Sequence, residues 1–143
     1  MKRTSKAEQI ELLGNVSLFS ECSKKELGQV ASMMDERRVE SGTELTREGE
    51  AGDEFFVVAE GLAEAVIGKK KVGSIKPGSF FGEMALLDQG PRVATVTAKL
   101  PTRVLVLDAK GFGRVVRDSP SVALKVMKTL AERLRALETS PTR

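Results

Sequence analysis

The chain has 143 residues, of which 41% are hydrophobic and 30% are charged, a composition typical of one soluble globular domain. A net charge of +3 is too small to indicate nucleic-acid binding, and the single cysteine and the absence of histidine exclude an internal disulfide, histidine general bases and histidine-containing metal sites. There is no apolar run of ~18 residues and no secretory signal, so we expect a cytoplasmic protein without a membrane span. Because no pair of acids stands out either, we expect a non-enzymatic protein without a metal site.

Two helices are predicted at the start of the chain. Ser5 with Glu8, and Ser23 with Glu26, each form the Ser-x-x-Glu pattern of a capping box, in which each partner satisfies a main-chain N–H group of the other. The apolar residues behind the second box recur at helical spacing and are Leu27, Val30, Ala31 and Met34. The sequence therefore predicts N-terminal helices over residues 5–35.

Residues 36–108 have a different texture, because short runs of β-branched and aromatic residues alternate there with glycines. Many short strands with frequent turns are typical of a small antiparallel β-barrel or double-stranded jelly roll. Asp108 can then cap a helix, and Pro120 suits the first turn of another, so two C-terminal helices are predicted over residues 109–138. The predicted fold is α+β but mainly β, in a single domain of residues 1–143.

The functional prediction depends on residues 80–98, FFGEMALLDQGPRVATVTA. This stretch is mostly apolar, yet it keeps one acid, Glu83, and one guanidinium, Arg92, whose burial is costly unless each finds a partner. After Gly82, the run EMALL can form one helical turn whose unpaired N–H groups would face an anion. Arg92 offers a planar fork for two phosphate oxygens, and ionised Glu83 offers only acceptors, which suits a hydroxyl donor. The residues alone also allow a structural ion pair between Glu83 and Arg92.

This stretch resembles the phosphate-binding cassette of cyclic-nucleotide-binding domains, which occur in bacterial cAMP-activated transcription factors, kinase regulatory subunits and cyclic-nucleotide-gated channels. The resemblance lies in the segments FGE, ALL, PR and ATV of residues 81–96. The upstream run GEAGDEFF over residues 49–56, together with Gly61, is similar to the second signature of the family. Roughly residues 16–137 are covered.

The resemblance implies a barrel pocket that binds a cyclic nucleotide. In the family, the residue matching Glu83 holds the ribose 2′-hydroxyl and the residue matching Arg92 holds the phosphate. Main-chain N–H groups at the positions matching Ala85 and Val93 complete the cradle. Members that favour cGMP often carry threonine at the position of Val93, which has no hydroxyl, so we expect cAMP to be preferred over cGMP. The predicted ligand-binding residues are Gly82, Glu83, Met84, Ala85, Arg92 and Val93.

The helix over residues 120–137 is the predicted moving part. Its apolar residues follow alternating four- and three-residue steps, which fits either packing against the domain's own barrel or the seam of a parallel homodimer. These residues are Ala123, Met127, Leu130, Leu134 and Leu137.

The predicted function is a cyclic-nucleotide sensor that signals through this last helix to an unidentified effector protein. Two alternatives stay open: a ligand-free scaffold for protein interaction or dimerisation, and the sensor half of a DNA-binding transcription regulator that lacks its helix-turn-helix. No recognition helix is apparent, so no nucleic-acid binding is expected from this segment.

Overall fold

Eight antiparallel strands form two four-stranded sheets in the computed structural model, which describes residues 3–138. The strand order is β1-β8-β3-β6 in one sheet and β2-β7-β4-β5 in the other. This arrangement confirms the mainly β prediction, while residues 1–2 and 139–143 of the predicted single domain lie outside the described range. The strands are β1 (Asp35–Val39), β2 (Glu44–Thr46), β3 (Glu54–Glu60), β4 (Ala63–Ile67), β5 (Lys70–Ile75), β6 (Phe80–Phe81), β7 (Thr95–Ala98) and β8 (Thr102–Asp108).

The N-terminal part is helical, as predicted, and consists of α1 (Lys6–Gly14), a 3₁₀ turn (Ser17–Phe19) and α2 (Lys24–Ala31). Both predicted capping boxes form, and the Ser5 and Ser23 hydroxyls each accept from a backbone N–H at 3.2 Å. The predicted helical region extends too far, however, because α2 ends at Ala31 and β1 begins at Asp35, which already pairs with Val106 of β8. Met34, expected on the apolar face of the helix, remains buried beyond its end.

The paired strands β3 and β8 form the centre of the fold, because both are buried on their two faces. Phe55 and Val57 of β3 pack with the helices, whereas the alternate residues Phe56 and Val58 lie in the smaller core between the two sheets. β8 alternates in the same way. Residues buried on both sides explain why these strands read as continuous apolar runs, FFVVA and VLVL, rather than as alternating patterns.

The C-terminal helices are α4 (Ala109–Asp118) and α5 (Pro120–Glu138), and a short helix, α3 (Ala85–Asp88), lies between β6 and β7. Asp108 caps α4 as predicted, accepting from the Gly111 N–H at 2.7 Å. α5 buries Val122, Val126 and Thr129 against the rest of the fold. None of the helices within residues 3–138 is both long and apolar enough to cross a bilayer.

Candidate functional site

One cavity of about 530 Å³ opens between the second sheet and the segment that runs from β6 through α3 to β7. Its wall is mainly apolar, and all six residues that the sequence singled out lie in it. The cavity-lining residues are Thr46, Ala65, Ile75, Phe81, Gly82, Glu83, Met84, Ala85, Asp88, Gly90, Pro91, Arg92, Val93, Ala94 and Val96. The structure therefore brings the predicted residues together, with Val93 at the rim, where it is 75% exposed.

The backbone around Arg92 is fixed by pairing with the loop between β2 and β3. The Arg92 N–H donates to Glu50 O and the Arg92 carbonyl accepts from the Gly49 N–H, both at 2.8 Å. A third bond joins the Gly52 N–H to Gly90 O at 3.3 Å. The main chain that carries the guanidinium is thus held in place by a segment some 40 residues earlier in the sequence.

The Arg92 guanidinium itself lies in a close-fitting slot. Its Nη2 donates to the Glu54 carbonyl at 2.8 Å, and its Cζ lies 5.9 Å from the centre of the Phe56 ring. A Cβ at Gly52 would lie 2.2 Å from Arg92 Nε, and one at Gly82 would lie 2.8 Å from Nη1. Gly82 also has φ +79°, a conformation that L side chains rarely adopt. Both glycines are therefore needed where the guanidinium sits.

Arg92 keeps unused hydrogen-bonding capacity. Burial lowers the pKa of Arg92, while the carboxylates of Glu54 and Asp53 act in the opposite direction. The Glu54 carboxylate is itself paired with Arg37 at 2.9 Å. Within residues 3–138, the one protein acceptor bound by the Arg92 guanidinium is the Glu54 carbonyl, so its remaining donors are free for an anion.

Glu83 lies in the same cavity with its side chain only 17% exposed. Its Oε1 is 3.5 Å from Nη2 of Arg133 in α5, and Oε2 is buried without a hydrogen-bond partner. Burial raises the pKa of Glu83, while the Arg133 guanidinium acts to lower it. The alternative of a Glu83–Arg92 ion pair is therefore wrong, because across the described residues Glu83 pairs with Arg133.

The turn after Gly82 provides free main-chain donors, although not in the arrangement that the resemblance implied. Across residues 3–138, the N–H groups of Glu83, Met84 and Val93 have no protein acceptor. The Ala85 N–H, in contrast, donates to Gly82 O at 3.1 Å, because the turn closes on itself here before α3 begins. Ala85 thus lines the cavity with its donor already engaged.

Sequence reasoning missed several residues that shape the site. Gly52, Glu54 and Phe56 fall in the upstream signature GEAGDEFF, which is recognisable in the sequence, but their contacts with Arg92 are visible only in the fold. Arg133 had no local signal, because its partner lies 50 residues away in the chain. Asp88, the last residue of α3, was not singled out although it lines the cavity.

Within the described residues, a two-sheet β-sandwich thus surrounds one cavity with a guanidinium that has spare donors, a buried acid and unpaired N–H groups, which is the arrangement of a β-sandwich module suited to a small anion. Comparison with known families makes this specific. Residues 36–119 match the model of the cyclic nucleotide-binding domain, and the chain belongs to that family.

Individual relatives agree with this assignment. The chain is 34% identical over 114 residues to the cAMP-dependent protein kinase type II regulatory subunit of Drosophila melanogaster, covering 80% of this chain but only 30% of that protein. A solved N-terminal domain of a transcriptional regulator from Streptomyces coelicolor A3(2) is similar with a TM-score of 0.82 and 27% identity, over 89% of this chain and 92% of that one. The regulatory domain of Toxoplasma gondii PKA, solved with cAMP, is similar with a TM-score of 0.69 and 30% identity, over 89% of this chain and 50% of that one.

Proposed function

We propose that this chain is a non-enzymatic sensor that binds a cyclic nucleotide in the cavity, with cAMP preferred over cGMP. The observation that carries the proposal is that one cavity contains two groups with unsatisfied hydrogen-bonding capacity. They are the buried Oε2 of Glu83 and the free donors of Arg92. A buried oxygen without a partner costs free energy that a ligand hydroxyl would recover.

The chemistry of a cyclic nucleotide matches these groups one by one. Its phosphate would bind the Arg92 guanidinium and the free N–H groups of Glu83, Met84 and Val93, joined by the Ala85 N–H if the bond to Gly82 O opens, while Gly82 would let the ligand approach the backbone. The ribose 2′-hydroxyl would donate to Glu83 Oε2. The base would lie on the apolar wall formed by the second sheet.

The preference for cAMP rests on Val93, which has no hydroxyl to bind guanine. It is supported by the similarity to the Toxoplasma gondii regulatory domain solved with cAMP.

Binding would be transmitted through α5 by way of Arg133. This side chain donates both to Glu83 Oε1 and to the Ser17 hydroxyl, so it ties α5 to the cavity and to the 3₁₀ turn. A ligand hydroxyl that draws Glu83 toward itself would favour one arrangement of this contact over another. Such a differential interaction is what shifts a conformational population, typically with ~1–3 kcal/mol of coupling.

The exposed face of α5 is the proposed dimer contact. Val122 and Val126 pack inward, which supports the interpretation that α5 packs on its own domain. Met127, Leu134 and Leu137 of the predicted seam nevertheless remain 56%, 62% and 60% exposed. A second copy of the chain, with its α5 packed parallel to this one, would bury these three side chains. Light scattering of the wild type and of Leu134→Glu tests this: a monomeric wild type contradicts the homodimer.

The effector is proposed to be a protein, and the setting to be the cytoplasm, without nucleic-acid binding by this segment. The transcriptional-regulator domain of Streptomyces coelicolor A3(2) favours a second candidate role, the sensor half of a DNA-binding regulator. Affinity capture from the source cell with and without cAMP would separate a kinase-like partner from a DNA-binding one.

A thermal melt with cAMP, cGMP and AMP tests the binding proposal. At ~100 times the dissociation constant, a ligand adds ~2.7 kcal/mol of stability, which raises Tm by several degrees in a protein of this size. We expect a larger shift with cAMP than with cGMP, and little with AMP. Melts that do not move with either cyclic nucleotide would instead support the ligand-free scaffold.

A further inference from the structure

Asp88 places a second carboxylate at the cavity that the proposed ligand chemistry does not use. It is the last residue of α3 and lines the same cavity as Arg92. Its Oδ1 accepts from the Gly90 N–H at 3.0 Å, so the carboxylate is turned over Gly90, which also lines the cavity. The intervening Gln89 has a left-handed backbone, with φ +49°, and its side chain donates to Ala85 O at 3.0 Å. The Asp88 side chain is exposed, and its bond to the Gly90 N–H directs the carboxylate along the cavity lining.

The charge of Asp88 is not neutralised by a neighbour. Across residues 3–138, no lysine or arginine forms an ion pair with it, whereas Glu83 is paired with Arg133 and the Glu54 carboxylate with Arg37. The cavity wall therefore presents two carboxylates, Glu83 and Asp88, and one guanidinium, Arg92. Because Arg133 balances Glu83, the Asp88 carboxylate is the acid on this wall that has no basic partner within residues 3–138.

We infer that Asp88 is a specificity residue that lets phosphodiester monoanions enter and disfavours phosphomonoester dianions. The inference rests on the proposed function. A cyclic phosphate is a diester with one negative charge, whereas a phosphomonoester has a second pKa near 6 and carries about −1.5 to −2 at neutral pH. The single guanidinium balances the first charge, and the second charge meets the Asp88 carboxylate. The ligand class rejected is the ring-opened nucleoside 5′-monophosphate.

The expected effect follows from Coulomb's law. If the bound phosphate lies roughly 7 Å from the Asp88 carboxylate in a water-like dielectric, this one pair of charges changes affinity by about threefold at low ionic strength. Because the interaction scales with ligand charge, neutralising Asp88 should raise the affinity for a monoanion by about threefold. The affinity for a dianion should rise by about the square of that factor. The ratio of AMP to cAMP affinity should then rise by about threefold, and the rise should vanish near 1 M salt, where the screening length is about 3 Å.

Asp88→Asn is the informative variant, because the Asn amide oxygen can still accept from the Gly90 N–H. The matched control is Asp118→Asn at the end of α4, which removes the same net charge outside this cavity. Calorimetry or competition against a fluorescent cyclic nucleotide at pH 7.5 and low salt gives the cAMP and AMP affinities of all three proteins. Repeating the titrations of wild type and Asp88→Asn at pH 5, where AMP is largely a monoanion, should remove most of the difference between the two proteins, because any titration of Glu83 is common to both.

The inference is supported if Asp88→Asn raises the AMP to cAMP affinity ratio at pH 7.5, Asp118→Asn does not, and the effect of Asp88→Asn shrinks at pH 5. It is overturned if the wild type binds cAMP but the ratio is unchanged by Asp88→Asn, which leaves the proposed function intact. It is also overturned if both Asn variants change the ratio equally. A wild type that binds neither nucleotide overturns the proposed function and this inference together.

Discussion

Replacing Arg92 by alanine separates a ligand-binding role from a structural one. The side chain makes one hydrogen bond to the protein, from Nη2 to the Glu54 carbonyl, and holds its other donors toward the cavity. Loss of that bond should cost about 1 kcal/mol of stability, and part of this is offset because a partly buried charge is removed. In a protein of this size the corresponding decrease in Tm is a few degrees.

The effect on binding should be much larger. Two charge-assisted hydrogen bonds to phosphate contribute roughly 1.5–3 kcal/mol each, so their loss weakens binding by about 10²- to 10⁴-fold. Arg92→Lys keeps the charge but loses the planar fork and its fit between Gly52 and Gly82. We expect its affinity for cAMP to lie between that of Arg92→Ala and that of the wild type. Arg38→Ala, in β1 and outside the cavity, is the control for lost positive charge.

Isothermal titration calorimetry with cAMP measures the affinity, and a melt without ligand measures stability. A folded Arg92→Ala protein that binds within about threefold of wild type would refute the reasoning. A variant that no longer folds would assign Arg92 a structural role instead.

Three further outcomes follow from the same geometry. Gly52→Ala should weaken cAMP binding by about tenfold or more, because its Cβ would lie 2.2 Å from Arg92 Nε. Gly73→Ala, with no atom within 4 Å of its Cβ, should leave the affinity unchanged. Equal affinities of the two variants would contradict the close fit of Arg92 against Gly52. Glu83→Gln should weaken binding, since the 2′-hydroxyl loses a charged acceptor, yet raise the Tm of the free protein at pH 7. Burial raises the pKa of Glu83 in the folded state, so its stabilising contribution is present below the unfolded pKa and is lost as pH rises through the folded value; melts across pH should show the advantage of Gln growing with pH. For Glu26 the sign is opposite: hydrogen bonds from Lys125, Ser121 and Ser23 lower its pKa to about 2, so stability should fall as pH drops from about 4.5 toward 2, and Glu26→Gln, which we expect to cost about 1–2 kcal/mol at pH 7, should flatten that decrease.

Local chemistry made much of this fold readable from the sequence. The caps at Ser5, Ser23 and Asp108 each depend on residues no more than three positions away, and all three form as predicted. The end of α2 was misjudged because Met34 keeps the helical spacing and is buried, while the pairing of Asp35 with Val106 is a long-range contact that no local pattern reports.

The site divides in the same way. Gly82, Glu83 and Arg92 lie within one short stretch, and their placement around a common cavity could be anticipated from their order. The partner of Glu83 could not, because Arg133 reaches it from a helix whose register against the sheets depends on packing over the whole domain. Ala85 shows a finer limit, since a single 3.1 Å bond to Gly82 O decides whether its N–H is free.

Within residues 3–138, the cavity-lining residues all fall between Thr46 and Val96, and α5 contributes indirectly, through Arg133 beside Glu83. Under the proposed function, recognition would be encoded in this segment and output in α5, with the Glu83–Arg133 contact between them. On that proposal, exchange of the last helix would change the controlled protein without changing the cavity lining, provided that the new helix still offers a cation to Glu83.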